Sequence, residues 1–188
     1  VGILTAPRIE YEQRESTFIL KNVRIGIGFH WDRYEDQEFS GTLTIRVNED
    51  GTQTAINTLD LEEYLCSVIS SEMNANSPME LLKAHAVISR SWAIRAMEQN
   101  LHSGFHVCAD DHCQRYQGLT RATGETVRKV IDRTWGQVLM YGDELCDARF
   151  SKCCGGIMER FSTCWQDRDY PYLQPLPDTP DHDSEGEC

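Results

Sequence analysis

The feature that most constrains this chain is a pair of helical patterns set end to end across residues 60–99. Asp60 is a good N-cap with Glu63 three residues on, a capping-box spacing, and Leu61, Tyr64, Leu65, Val68 and Ile69 follow at helical intervals. A second helix is expected from Ser77, with Pro78 at its first position and Glu80 completing another capping box, running to about Gln99. Its segment LLKAHAVISRSWAIRAM is rich in helix formers and apolar on more than one face, the mark of a central helix wrapped by other elements.

The flanks read differently. Val23, Ile25, Ile27 and Phe29 alternate, as do Leu43, Ile45 and Val47, and Asn48, Glu49, Asp50 and Gly51 form a turn into residues 52–57, which predicts strands and a hairpin. Residues 30–40 read as a polar, aromatic loop. A short helix is expected over residues 120–133, with Val127, Val130 and Ile131 inward, then two strands at 136–140 and 145–150. The class is α+β: a central helix in a capped helix pair, packed against antiparallel strand hairpins. Three regions are expected, with an N-terminal β region at 1–58, a catalytic domain at 59–175 and an acidic tail at 176–188, read as a cut within a longer chain.

Composition narrows the function. A net charge of −12 and a pI near 4.9 exclude general nucleic-acid binding by a basic surface. No run approaches the roughly 18 consecutive apolar residues of a membrane span. The first residues lack the basic flank of a signal peptide, so a targeting segment is expected to be absent or already removed. Eight cysteines are too many for an average cytosolic domain and point to disulfides in an oxidising compartment or to a metal.

Three constellations carry chemistry. Glu72 continues the apolar stripe of the first helix, three residues after Ile69, so its carboxyl group leaves on the buried side. Partial desolvation there disfavours the ionised form and suits a general acid, against the alternative of a solvated helix end. On the second helix Lys83 and Arg90 share a face with Val87 and Ile94, and charges so placed need partners: a ligand, or an ion pair within the fold. Glu62 and Glu63 are explained by capping and the helix dipole.

The loop LHSGFHVCADDHCQ gathers His102, His106, Cys108, His112 and Cys113, a donor set suited to tetrahedral zinc. The preferred ligands are His102, Cys108, His112 and Cys113, and the zinc is structural because four protein ligands leave no open position. A Cys108–Cys113 disulfide is the alternative. Cys153 and Cys154 are adjacent and rarely bond each other, so each is expected to pair with Cys164, Cys146 or another cysteine. A nucleophilic cysteine with His112 or His85 as base is a further, weaker reading.

The segment DLEEYLCSVISSEMNANSPMELLKAHAVISRSWAI at 60–94 resembles the core motif of the SpoIID/LytB domain family, and CQRYQG at 113–118, TWGQVLMYGDELCDARFSKCCGGIME at 134–159 and TCWQDRDYPYL at 163–173 resemble further motifs in the same order. The resemblance implies a peptidoglycan lytic transglycosylase of the cell envelope, outside the cytoplasm, that cleaves between N-acetylmuramic acid and N-acetylglucosamine and leaves 1,6-anhydro ends. It maps the family's catalytic acid onto Glu72. It also implies that Lys83, Arg90, Tyr116, Ser151 and Lys152 meet substrate, with His85 standing where many relatives have Gln. The expected partners are glycan strands and other cell-wall enzymes, with no nucleic acid and no membrane span. The alternatives are a non-catalytic peptidoglycan-binding module and a hydrolytic muramidase.

Overall fold

The protein is seen in a computed structural model that describes residues 1–6, 8–121, 124–151 and 153–178. The substrate-binding expectation at Lys152 and most of the acidic tail, residues 179–188, lie outside the described residues. Among those described, the fold is α+β, as the sequence predicts. No helix among them is long and apolar enough to cross a membrane.

Two three-stranded antiparallel sheets occupy the N-terminal part. One has the order β1-β6-β5 and the other β2-β3-β4, from strands β1 (Gly2–Ala6), β2 (Tyr11–Gln13), β3 (Thr17–Ile25), β4 (Arg33–Ser40), β5 (Thr42–Val47) and β6 (Gln53–Thr58). The hairpin expected at residues 48–51 is present, with Thr42 opposite Thr58 and Val47 opposite Gln53.

The expected loop at residues 30–40 is corrected: most of it is β4, paired with β3 from Thr17–Ser40 to Ile25–Arg33. Phe39 is its one apolar residue facing the core, and Gln37 is buried beside it with Nε2 donating to Glu35 at 3.1 Å. A strand whose inward row is mostly polar shows no hydrophobic alternation. Ile27 and Phe29, expected to extend β3, stand exposed in the tip joining β3 to β4.

Helix α1 (Leu61–Glu72) is capped by Asp60, whose side chain accepts from Glu62 N at 2.8 Å. The capping box does not close, because Glu63 pairs outward with Arg128 at 3.2 Å. Helix α2 (Met79–Gln99) follows, with Pro78 at its N-cap and no side-chain cap; Glu80 binds Lys83 at 2.6 Å instead of returning to the backbone. Asn100 ends α2 in the left-handed conformation.

Helix α3 (Glu125–Arg133) buries Val127, Val130 and Ile131. A two-residue hairpin, β7 (Met140–Tyr141) and β8 (Glu144–Leu145), and a single helical turn, α4 (Phe161–Cys164), complete the elements. One core runs from Phe18 and Phe39 of the sheet through Tyr116 to Leu65, Val68 and Ile69 of α1 and on to Leu82 and Ala86 of α2. α2 buries Leu82, His85, Ala86, Ser89, Arg90, Trp92 and Ala93, which makes it the wrapped central helix.

Candidate functional site

The site is built on the C-terminal end of α1. Tyr64, Leu65, Val68 and Ile69 anchor the stripe in the core, so the next position of that stripe, Glu72, is held at its edge and half-buried. Glu72 Oε1 accepts a hydrogen bond from the backbone N–H of Arg115 at 2.8 Å, while Oε2 makes none among the described residues. One carboxylate oxygen is thus fixed by the main chain and the other is left open to a ligand.

Arg115 belongs to an irregular segment, residues 114–117, that crosses α1 as a strap. Gln114 is buried, accepts from Tyr64 Oη at 3.1 Å and donates to Ser89 O at 3.3 Å. Tyr116 donates to Asn57 Oδ1 at 2.6 Å, and Gln117 N donates to Ser67 Oγ at 3.1 Å. Each residue of the strap is tied to a different neighbour, which supplies the partners that an irregular buried backbone needs. Gly118 ends the strap at φ 58°, where an added Cβ would collide with Glu38 O and the Phe39 ring of β4.

The strap begins at the cysteine loop. His102, Cys108, His112 and Cys113 each offer one donor atom, and all four donors lie within 4.8 Å of one another. His102 Nε2 is 3.1 Å from Cys113 Sγ, and His112 Nδ1 is 3.8 Å from the same sulfur. Tetrahedral zinc with ordinary bond lengths holds its donors roughly 3.3–3.8 Å apart, so two sulfurs and two imidazoles suit the ion in kind, and donors up to 4.8 Å apart would draw in by about 1 Å around it.

Cys108 and Cys113 are free thiols. The hydrogen bond from Cys108 draws the Cys113 thiol below its ordinary range, and that same bond, ahead of burial, pushes Cys108 up. Cys108 also lies 3.0 Å from Asp110 Oδ1. His106 is exposed and outside the cluster. The loop is sewn to β1 through Gly2, which accepts from Ala109 N and donates to Val107 O, both at 2.9 Å.

Acid and cysteine loop are therefore neighbours. Arg115, which grips Glu72, is two residues beyond Cys113, and Tyr64 lies among them: burial pushes its phenol well above the ordinary range, with Cys113, Tyr116, Cys108 and Glu72 adding to the shift.

The other expected site residues fare differently. Arg90 is corrected from a ligand clamp to an internal ion pair: it is 1% exposed, donates to both oxygens of Glu62 at 2.8 and 2.6 Å and gives a third bond to Gln137 O at 3.0 Å. Glu62 is accordingly more than a helix-dipole residue. Tyr116 is corrected from the groove to the core, where it packs against Phe39 and Tyr64 with its hydroxyl spent on Asn57. Lys83 is half-buried and tied to Glu80, and Ser151 is exposed. His85 is buried edge-on against Phe150, with ring centroids 4.8 Å apart. Cys146, Cys153 and Cys164 stand as free thiols, and Cys154 lies 3.3 Å from Asp178 Oδ2.

A family model described as Stage II sporulation protein matches residues 49–141, a span that holds α1, the strap and the cysteine loop. The chain belongs to the SpoIID family. The SpoIID match ends at residue 141, within the motif at 134–159 and before the one at 163–173. An uncharacterised protein of Brachyspira hyodysenteriae is 32% identical over 120 residues, 63% of this chain and 32% of that protein. Stage II sporulation protein D of Bacillus subtilis is 28% identical over 134 residues, 64% of this chain and 39% of that protein. The amidase enhancer of Bacillus subtilis is 32% identical over 117 residues, 62% of this chain and 15% of that protein. The SpoIID chain thus spans about a third of the length of the first two of these relatives and less of the third. Family membership and these relatives give it a role connected with the cell wall.

Proposed function

We propose that this chain is a peptidoglycan lytic transglycosylase of the cell envelope, acting outside the cytoplasm, with Glu72 as its acid and base. The observation that carries the reading is the setting of Glu72: a half-buried carboxyl group at the end of an apolar stripe, one oxygen held by Arg115 N–H and the other open. In its neutral form Glu72 protonates the oxygen bridging N-acetylmuramic acid and N-acetylglucosamine as that bond breaks. The carboxylate then takes a proton from the C6 hydroxyl of the same muramic residue as its oxygen attacks C1, closing the 1,6-anhydro ring and restoring the acid. No water is consumed, and one carboxyl group serves both steps.

His102, Cys108, His112 and Cys113 would hold a structural zinc ion, whose chemistry is to fix the loop and not to bind substrate. The chain's own contribution is the strap that carries this order to Glu72. Glycan strands are the proposed partner, together with other cell-wall enzymes.

One relative's name, amidase enhancer, favours a second reading in which the domain binds glycan and assists another enzyme without cleaving. Mass spectrometry of peptide-free glycan strands incubated with the chain separates the cases. Anhydro ends are expected, lost in Glu72→Gln with the fold retained. Reducing ends mark a muramidase, no product marks a binding module, and full activity in Glu72→Gln removes the acid from its role.

A further inference from the structure

A small cleft of about 150 Å³ adjoins the acid, and no part of the function proposed above uses it. Its lining includes Ser71, the residue before Glu72, and Arg115, whose N–H holds Glu72. It is also lined by Trp31 of the tip between β3 and β4, by Arg33 at the start of β4, and by Gln117 and Arg121. Residues 25–34 precede the span matched by the family, so the cleft joins a family segment to a segment outside it.

Three guanidinium groups line this cleft in a chain whose net charge is −12. Their carboxylate partners are fewer. Arg33 and Arg121 share Glu35, at 3.2 and 3.9 Å, and Arg115 pairs with Asp111 at 2.9 Å. One positive charge is therefore in excess among these five groups, and the Arg33 and Arg121 side chains are 41% and 44% exposed.

The tip is docked and not merely near. Trp31 stacks on Phe29 with centroids 4.6 Å apart and planes at 4°, and the Arg115 guanidinium lies 6.0 Å from the Trp31 ring. Gly26, at φ 70°, lets the backbone meet the indole where a Cβ would clash. Two further donors in the wall, Trp31 Nε1 and Ser71 Oγ, are buried with no hydrogen-bond partner among the described residues. Donors without acceptors beside an excess of guanidinium describe a site that lacks an anion with several oxygens.

We infer that the cleft is an anion subsite of the glycan groove, in which Arg33, Arg115 and Arg121 hold a carboxylate borne by a sugar beside the bond presented to Glu72. The inference rests on the glycan-cleaving reading above. In that reading the muramic residue carries such a carboxylate on its lactyl ether, and the cleft selects the register in which the strand lies across the acid.

The test uses the full chain as Glu72→Gln, so that substrate stays whole, with and without Arg33→Ala plus Arg121→Ala. Calorimetry measures binding of peptide-free glycan tetrasaccharides, of the same tetrasaccharides with the lactyl carboxyl converted to the amide, and of chitotetraose. The carboxylate form is expected to bind the parent about tenfold tighter than the amide form, the order of one charge-assisted hydrogen bond, and the double substitution is expected to erase that difference alone. Equal affinity for carboxylate and amide, or an unchanged preference in the double variant, overturns the subsite. So does an equal loss for all three saccharides, which thermal melting of the variant accompanies if the fold is at fault. Cleavage by the unsubstituted chain is scored separately. Anhydro products without carboxylate preference sink the subsite and keep the acid, while carboxylate preference without products does the reverse.

Discussion

Arg90 is the largest side chain among the described residues to be sealed from water, and its charge is met by Glu62 through two parallel bonds. A buried pair of this kind contributes little net stability when intact, yet removing one partner strands the other charge in a medium that cannot solvate it. Arg90→Met is therefore expected to cost about 3–5 kcal/mol in denaturant unfolding, and Arg90→Met with Glu62→Leu to recover most of that. A mild loss in the single variant would return Arg90 to the candidates for ligand contact. Helical spacing placed Arg90 on an inward face and so demanded a partner, but the partner lies 28 residues earlier on another helix, and no local pattern reveals which carboxylate crosses over. Glu72 was legible because the stripe that positions it is local. Tyr116 was misplaced because adjacency to a loop in sequence says nothing about which way a ring turns.

At the level of elements, the helices could be read because their apolar period repeats over several turns, while β4 could not, since Phe39 is its one buried apolar residue and the rest of its inward row is polar. The strap is the element that spacing alone could not foresee. Its segment CQRYQG has no periodicity, and its order comes from four separate anchors on α1, α2, β6 and the cysteine loop. With zinc on the four donors, one end of the strap is fixed by metal and the far end by Gly118 against β4. The purified chain is expected to carry about one zinc per molecule, and chelation to speed hydrogen exchange at the Arg115 and Gln117 amides more than at those of α2. A chain without zinc, or exchange at those two amides unmoved by chelation, would reverse the assignment.

Across the whole molecule, one core binds the N-terminal sheets to the helices, and it buries groups that titrate only under alkaline conditions. Burial raises the Cys66 thiol to about 11 from an ordinary 9.0. Between those values the unfolded chain gives up the proton and the folded chain keeps it, so stability present below pH 9.0 is lost as pH rises toward about 11. Tyr64 and Tyr116 are also raised by burial, but from an ordinary 10.0, so their contribution begins higher. The difference in melting temperature between the native chain and Cys66→Ala is expected to shift across this window, with the native chain declining first. A constant difference from pH 8 to 11 would mean that the thiol is open to solvent. The fold class was readable from the order of periods along the chain. The long-range docking of the β3–β4 tip on the strap was not, because aromatic residues at an exposed turn carry no sign of what they face.

The grip on Glu72 comes from the peptide unit at position 115 and not from the arginine side chain. Selection is consequently at liberty to rewrite what that position offers to a passing ligand, through charge, length or aromaticity, without unfastening the acid. Proline alone, having no amide hydrogen, would sever the attachment. Ligand preference and proton transfer can thus diverge at a single residue, one inherited through its side chain and the other through its backbone.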